Sequence, residues 1–213
     1  MSHSISLKDA EQRVFQTATN DGTWDILLGC FFLMFAIAPL LSASLGDFWS
    51  SAVFLPFWGA AYVALRLIRK HVVRPRIGSV RFGKSRRAVL SRFNVILLVL
   101  NLLTFVLGLF AAAYASRIPG QVMGFALGLI LLGGFSFAAF YLGISRLYVY
   151  GLLTGLGPPI GEWLWTRGLV SHHGYPLMFG FISGTMIFVG LALLLRLIAQ
   201  YPASDDDQPL ESM

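Results

Sequence analysis

Charge is what this sequence lacks first. Asp, Glu, Lys and Arg together make up 12% of its 213 residues, about half of the ~25% usual in soluble domains. So few charges cannot clothe the surface of a fold that lives in water, and the mean hydropathy is +0.72. The same figures exclude a disordered chain, which needs low hydrophobicity and high charge. Cysteine is almost absent. Cys30 stands alone, so no internal disulfide framework exists and the redox compartment cannot be read. Carboxylates are missing from most of the chain: Glu162 is the only one between Phe48 and Ser204. Clustered metal or haem ligands are lacking too. His172-His173 is the one adjacent pair; on a helix the two would diverge, no third ligand is close, and the pair reads as an exposed polar loop. No catalytic residue and no cofactor is assigned, and the expectation is a protein that is not an enzyme.

What is present is apolar surface in long runs, with 56% hydrophobic residues overall. About 20 consecutive apolar residues cross a hydrocarbon core of roughly 30 Å. Six runs qualify: Ile26–Leu45, Phe48–Leu65, Phe93–Ala115, Val122–Ile144, Leu147–Trp165 and Tyr175–Leu195. Lipid offers no partner for a free N–H or C=O, so spanning segments are helices or closed barrels. These runs are continuous rather than alternating, which excludes the barrel. The expected fold is an all-α integral membrane protein, a bundle of six transmembrane helices over residues 26–200, with five as the alternative. The fifth run carries Glu162 and the sequence Gly157-Pro158-Pro159. Proline removes a donor and clashes with the preceding turn, so this stretch is expected to be a span broken there, with a re-entrant or an interfacial segment as the alternatives. The pieces left outside the runs are too short to bury a core of their own.

Ten of the 16 Lys and Arg residues lie between Arg66 and Arg92, a stretch without acids. The positive-inside rule places that loop in the cytoplasm. Six spans then put both termini there, leaving only Arg117 and Arg167 on the far side. If Leu147–Trp165 does not cross, the charge balance is the same and the C-terminus changes sides. Trp24, Trp49, Tyr114, Tyr148, Trp163, Trp165, Tyr175 and Tyr201 fall near span ends, as interfacial aromatics do; Trp58, in mid-span, is an exception. Pro39 and Pro56 are expected to kink the first two spans. The pairs Gly124/Gly128, Gly151/Gly155, Gly157/Gly161 and Gly180/Gly184 provide small faces for close helix approach. In the third run Asn94, Asn101, Thr104, Gly108 and Ala115 share a face expected to point inward.

Residues 1–25 read as a cytoplasmic amphipathic segment, with Leu7, Ala10, Val14, Phe15 and Ala18 at helical spacing. Thr23 is a candidate cap for the first span, and Asp25 favours its positive end. Residues 201–213 read as a disordered acidic tail. Within the basic loop 66–92, Arg74, Arg76, Arg81, Lys84, Arg86 and Arg87 are candidate contacts for anionic lipid head groups, or for a partner. Pro75 disfavours helix at Arg74. Nucleic acid is disfavoured as a partner because Phe82 is the only stacking platform.

Two stretches carry a resemblance. Asp21-Gly22-Thr23-Trp24-Asp25-Ile26, followed by Pro75-Arg76-Ile77-Gly78-Ser79-Val80-Arg81-Phe82, resembles a group of uncharacterised bacterial multi-pass inner-membrane proteins. It covers roughly the first 90 residues by motif and the rest by hydropathy. It implies a bacterial inner membrane and carries no activity. Three functions are therefore weighed. The first is a non-enzymatic membrane subunit or scaffold, with the basic loop as its contact surface, in a homo-oligomer or with another membrane protein. The second is a small ion or solute transporter or channel, using the broken fifth helix and Glu162 as an ion or proton site. The third is a lipid-modifying enzyme. For Glu162 the plainer reading is an interfacial glutamate paired with Arg146, Arg167 or Arg196.

Overall fold

The computed structural model describes residues 21–77 and 119–201. Among these every regular element is helical. They are α1 (Thr23–Ala52), α2 (Phe54–Ile68), a π-helical turn (Arg69–Val73), the short α3 (Arg74–Ile77), α4 (Gly120–Leu142), α5 (Arg146–Thr166), a 3-10 turn (His172–Gly174) and α6 (Tyr175–Gln200). Four stretches are long and apolar enough to cross a membrane: Thr23–Gly46, Phe48–Val73, Gly120–Leu142 and His172–Gln200. They match the first, second, fourth and sixth runs of the sequence. The fifth run forms α5, 21 residues, which at 1.5 Å per residue is about 31 Å long; it is less apolar than the other four. The third run, Phe93–Ala115 with its polar face, lies outside the described residues, as do the amphipathic segment before Asp21 and the acidic tail after Tyr201. Five long helices are thus described where six were expected.

The chain turns back at Gly46, whose φ of 78° and ψ of 161° break the helical run of α1. That left-handed φ is open to glycine at no steric cost. The Trp58 indole N–H donates to the Cys30 carbonyl at 3.3 Å, and its ring stacks on Phe31 at 5.1 Å. Arg69 meets Asp21 at 3.1 Å. Pairings of 30 with 58 and of 21 with 69 centre the hairpin near residue 45. Trp58 in mid-span is thereby explained: its N–H has a backbone partner inside the hairpin.

α6 lies antiparallel along α1, with Gly22 against Gly190 at one end and Ala36 beside Gly180 at the other. The main core forms between them, α5 and the end of α4, from Phe32, Ala36, Ala139, Leu147, Tyr150, Phe179, Ile182 and Met186. The rings of Phe32 and Phe179 stack at 5.9 Å. A smaller cluster of Val73, Leu194 and Leu197 closes the end where the basic loop begins.

α4 and α5 form a second antiparallel hairpin through Gly143. Here two of the glycine pairs, Gly124/Gly128 and Gly151/Gly155, do what small residues do in lipid, letting helices approach closely. A Cβ on Gly128 would collide with the Gly155 carbonyl, and one on Gly124 would stand 3.2 Å from the Pro158 carbonyl oxygen. Gly161 packs in the same way on the turn around Gly174. The fourth pair differs: Gly184 faces open space, and Gly180 has only Ala36 near it, at 3.9 Å.

The expected break at Gly157-Pro158-Pro159 does not occur. α5 runs as one helix from Arg146 to Thr166 with both prolines inside it. Pro159 deprives the Gly155 carbonyl of its helical N–H, but that carbonyl lies against the bare backbone of Gly128, a close approach of the Cα–H to oxygen type. The neighbouring helix compensates locally, so the proline pair need not end the helix. Pro56 likewise falls in the first turn of α2, where a missing N–H costs nothing, and the dihedral break of the first span is at Gly46, not Pro39. α3 begins at Arg74 despite Pro75, again because Pro75 stands in a first turn.

Candidate functional site

The described helices carry ionisable side chains into the protein interior at two places, one at each end of the bundle. The end next to the basic loop holds Asp21 and Asp25, 0% and 1% exposed. Both belong to the Asp21–Ile26 motif, and the structure gives each position of it a task. Asp21 Oδ1 accepts from the Thr23 backbone N–H at 3.1 Å and from the Thr23 hydroxyl at 2.7 Å. Asp21, not Thr23, is therefore the side chain that caps α1. Gly22 takes φ 75° and presses on the Gly190 carbonyl, where any Cβ would collide. Its own carbonyl accepts the first helical bond, from Ile26 at 3.1 Å. Trp24 turns outward and is exposed.

Asp25 points inward. Its Oδ1 lies 2.9 Å from Nε of Arg146 and accepts from the Tyr150 hydroxyl at 2.8 Å. Asp21 is held in turn by Arg69 at 3.1 Å. Two carboxylates thus face two guanidinium groups, drawn from the start of α1, from the start of the basic loop and from the first residue of α5. Both acids also sit at the positive end of α1. Buried charge is tolerated only when paired and hydrogen-bonded, and here three separate parts of the chain supply the pairing.

The far end holds Glu162, 3% exposed on α5. Its Oε1 lies 2.7 Å from Nδ1 of His173. The expected partners Arg146, Arg167 and Arg196 are not the ones it meets: Arg146 is at the other end, and Arg167 rests over the Trp163 ring at 5.3 Å. Glu162 Oε2 makes no hydrogen bond among the described residues. It abuts Gly120 in the first turn of α4, where a Cβ would stand 2.9 Å from it. The positive end of α4 therefore faces this carboxylate. His173 sits at φ 55° and His172 at φ 52°, left-handed backbone that is uncommon outside glycine. The His173 ring packs on Trp165 with centroids 4.1 Å apart. The His172-His173 pair is thus not only an exposed loop, since its second member binds a buried acid. Among the described residues no three His, Cys, Asp or Glu side chains gather to hold a metal.

Of the six basic-loop candidates, Arg74 opens α3 and Arg76 donates from Nη1 to the Val72 carbonyl at 2.7 Å. Arg81, Lys84, Arg86 and Arg87 lie outside the described residues. There Gly78-Ser79-Val80-Arg81-Phe82-Gly83-Lys84-Ser85 has the spacing of a phosphate-binding loop. Such a loop works by joining a strand to a helix in a βαβ unit of about 30 residues or more. This stretch sits in a short connection between apolar runs, which makes the match a weak signal. A comparison with protein-family models, with curated proteins and with solved structures finds no match to this chain.

Proposed function

We propose that the chain is a six-span protein of a bacterial inner membrane, acting as a non-catalytic membrane subunit or scaffold whose basic loop 66–92 is its cytoplasmic contact surface. The observation that carries this reading is the pairing of Asp21 with Arg69 and of Asp25 with Arg146. It ties the N-terminal motif to the root of the loop and to the start of α5, so the loop springs from a cross-linked platform rather than from a frayed helix end. The loop carries no acid of its own, and its cations suit anionic lipid head groups or an acidic partner surface.

Six spans are supported by where the described parts begin and end. The first part finishes at Ile77, just beyond Val73 at the Asp21 end, and the second starts at Pro119, beside Glu162. Arg146 and Glu162, which mark the two ends on α5, are 16 residues apart on one helix, about 24 Å. The intervening 41 residues carry the 23-residue run Phe93–Ala115, enough for one crossing. α5 runs antiparallel to both α4 and α6, as an alternating set of crossings requires. The inner membrane of a bacterium rests on the resemblance of the two motifs.

A second reading, a small proton or cation transporter, keeps one observation in its favour: the buried, half-satisfied carboxylate of Glu162. It loses the broken helix on which it also rested. Mild extraction from native membranes, followed by mass spectrometry of the purified protein, separates the two. A stoichiometric protein partner, lost when loop arginines are changed to Gln, supports the scaffold. A pure chain carrying a small solute, or showing ion flux in proteoliposomes, overturns it.

A further inference from the structure

We propose that Glu162 and His173 form a proton-binding site that latches the α5–α6 connection, so that the end of the bundle remote from the basic loop opens and closes with pH. Glu162 is 3% exposed, whereas the His173 side chain is 46% exposed, and their polar atoms are 2.7 Å apart. A carboxylate in a low-dielectric interior is stable when a positive partner balances it or when it is protonated. Glu162 Oε2 has no hydrogen-bond partner among the described residues, and in this proposal one proton, held between Oε1 and the imidazole, balances the site together with the positive end of α4. The half-exposed imidazole is the route by which solvent supplies and removes that proton.

The groups facing the pair leave His173 in that role. On α5 the nearby cation Arg167 rests over Trp163. In the turn, His172 is exposed and lies 3.0 Å from the Ser171 hydroxyl. From α6 comes the phenol Tyr175, its ring 6.1 Å from that of His173. α4 contributes no ionisable side chain here, only Gly120 and Gly124. Arg117 lies outside the described residues.

The backbone supplies the mechanical part. His172 and His173 both hold left-handed φ, 52° and 55°, and Gly174 next to them packs on Gly161 of α5. Non-glycine residues stay in that region only when their surroundings hold them there. The bond to Glu162 and the stacking on Trp165 are the contacts that do so. With the proton in place the contact is an ion pair; without it the buried carboxylate faces a neutral ring and its charge is left uncompensated. Loss of the proton therefore weakens the hold on a turn whose backbone already leans toward release.

Hydrogen exchange of the full chain in nanodiscs, corrected for the intrinsic pH dependence of amide exchange, tests this. Between about pH 5 and 8, the range in which imidazoles change charge, amides of residues 169–175 should lose about tenfold in protection, a factor typical of a charge-assisted bond. Amides in mid-α6 should not change. His173→Asn, which tolerates the left-handed backbone and removes only a half-exposed side chain, should abolish the pH dependence, and Glu162→Gln should do the same. A pH dependence retained in His173→Asn overturns the proposal even if Glu162→Gln fails to insert, and so does a wild-type turn with no pH dependence.

Discussion

Asp25 shows how much of this protein hangs on single buried groups. Its carboxylate meets Arg146 and Tyr150 at once, and it is 1% exposed. Removing one partner of a buried ion pair leaves the other charge uncompensated, at a cost of about 3–5 kcal/mol. Asp25→Ala should therefore lower the unfolding temperature in detergent markedly and raise the protein's loss to aggregation. Replacing the pair together, Asp25→Leu with Arg146→Met, should recover a large part of that loss, because no charge is stranded. Thermal unfolding followed by tryptophan emission measures both. If the double variant is no better than Asp25→Ala, the pair is not the source of the stability. The partner of Asp25 could not be read in the sequence. Arg146 is 121 positions away, beyond any local pattern, and Asp25 read locally as a helix-end charge, which it also is. Glu162 was legible as an oddity because it is alone among apolar residues. His173 was not legible as its partner, since the turn that brings the ring inward uses left-handed backbone that the residue type does not announce.

At the scale of elements, apolar runs predicted helices well, because in lipid a continuous run has no other way to satisfy its backbone. Proline was the poorer guide. Its cost is set by what stands beside the freed carbonyl, and for Gly155 that neighbour is Gly128 on another helix. Glycine pairs behaved alike in the sequence and differently in the structure, for the same reason. The contrast gives a direct comparison. Gly128→Ala puts a methyl into the Gly155 carbonyl and must push α4 from α5, a misfit of about 1–3 kcal/mol in a tight core. Gly184→Ala meets open space within α6 and should be neutral or slightly stabilising, since alanine is the better helix former. Chemical or thermal denaturation of the two variants side by side should separate them by several degrees. Equal behaviour would mean that the α4–α5 seam is looser than the geometry shows.

At the scale of the whole molecule, two independent arguments bear on how the chain is threaded. One is charge: 14 Lys and Arg fall on the loop side and two on the other if six runs cross, but the same split arises if the fifth does not. The other is packing. α5 begins at Arg146 beside Asp25 and ends beside His173, so it spans the same two ends as α1 and α6. A helix lying flat at an interface could not reach both. Its weaker hydropathy is offset by burial: Tyr150, Thr154, Pro158 and Glu162, four residues apart along one face, are all turned into the bundle, away from lipid that would penalise them. Reporter fusions at Pro119 and at His173 should therefore both report the side opposite the basic loop, and a fusion after Tyr201 the same side as the loop. A fusion at His173 that reports the loop side would show that α5 does not cross. The Glu162–His173 pair would then lie on the same face as the loop, and the C-terminus on the other.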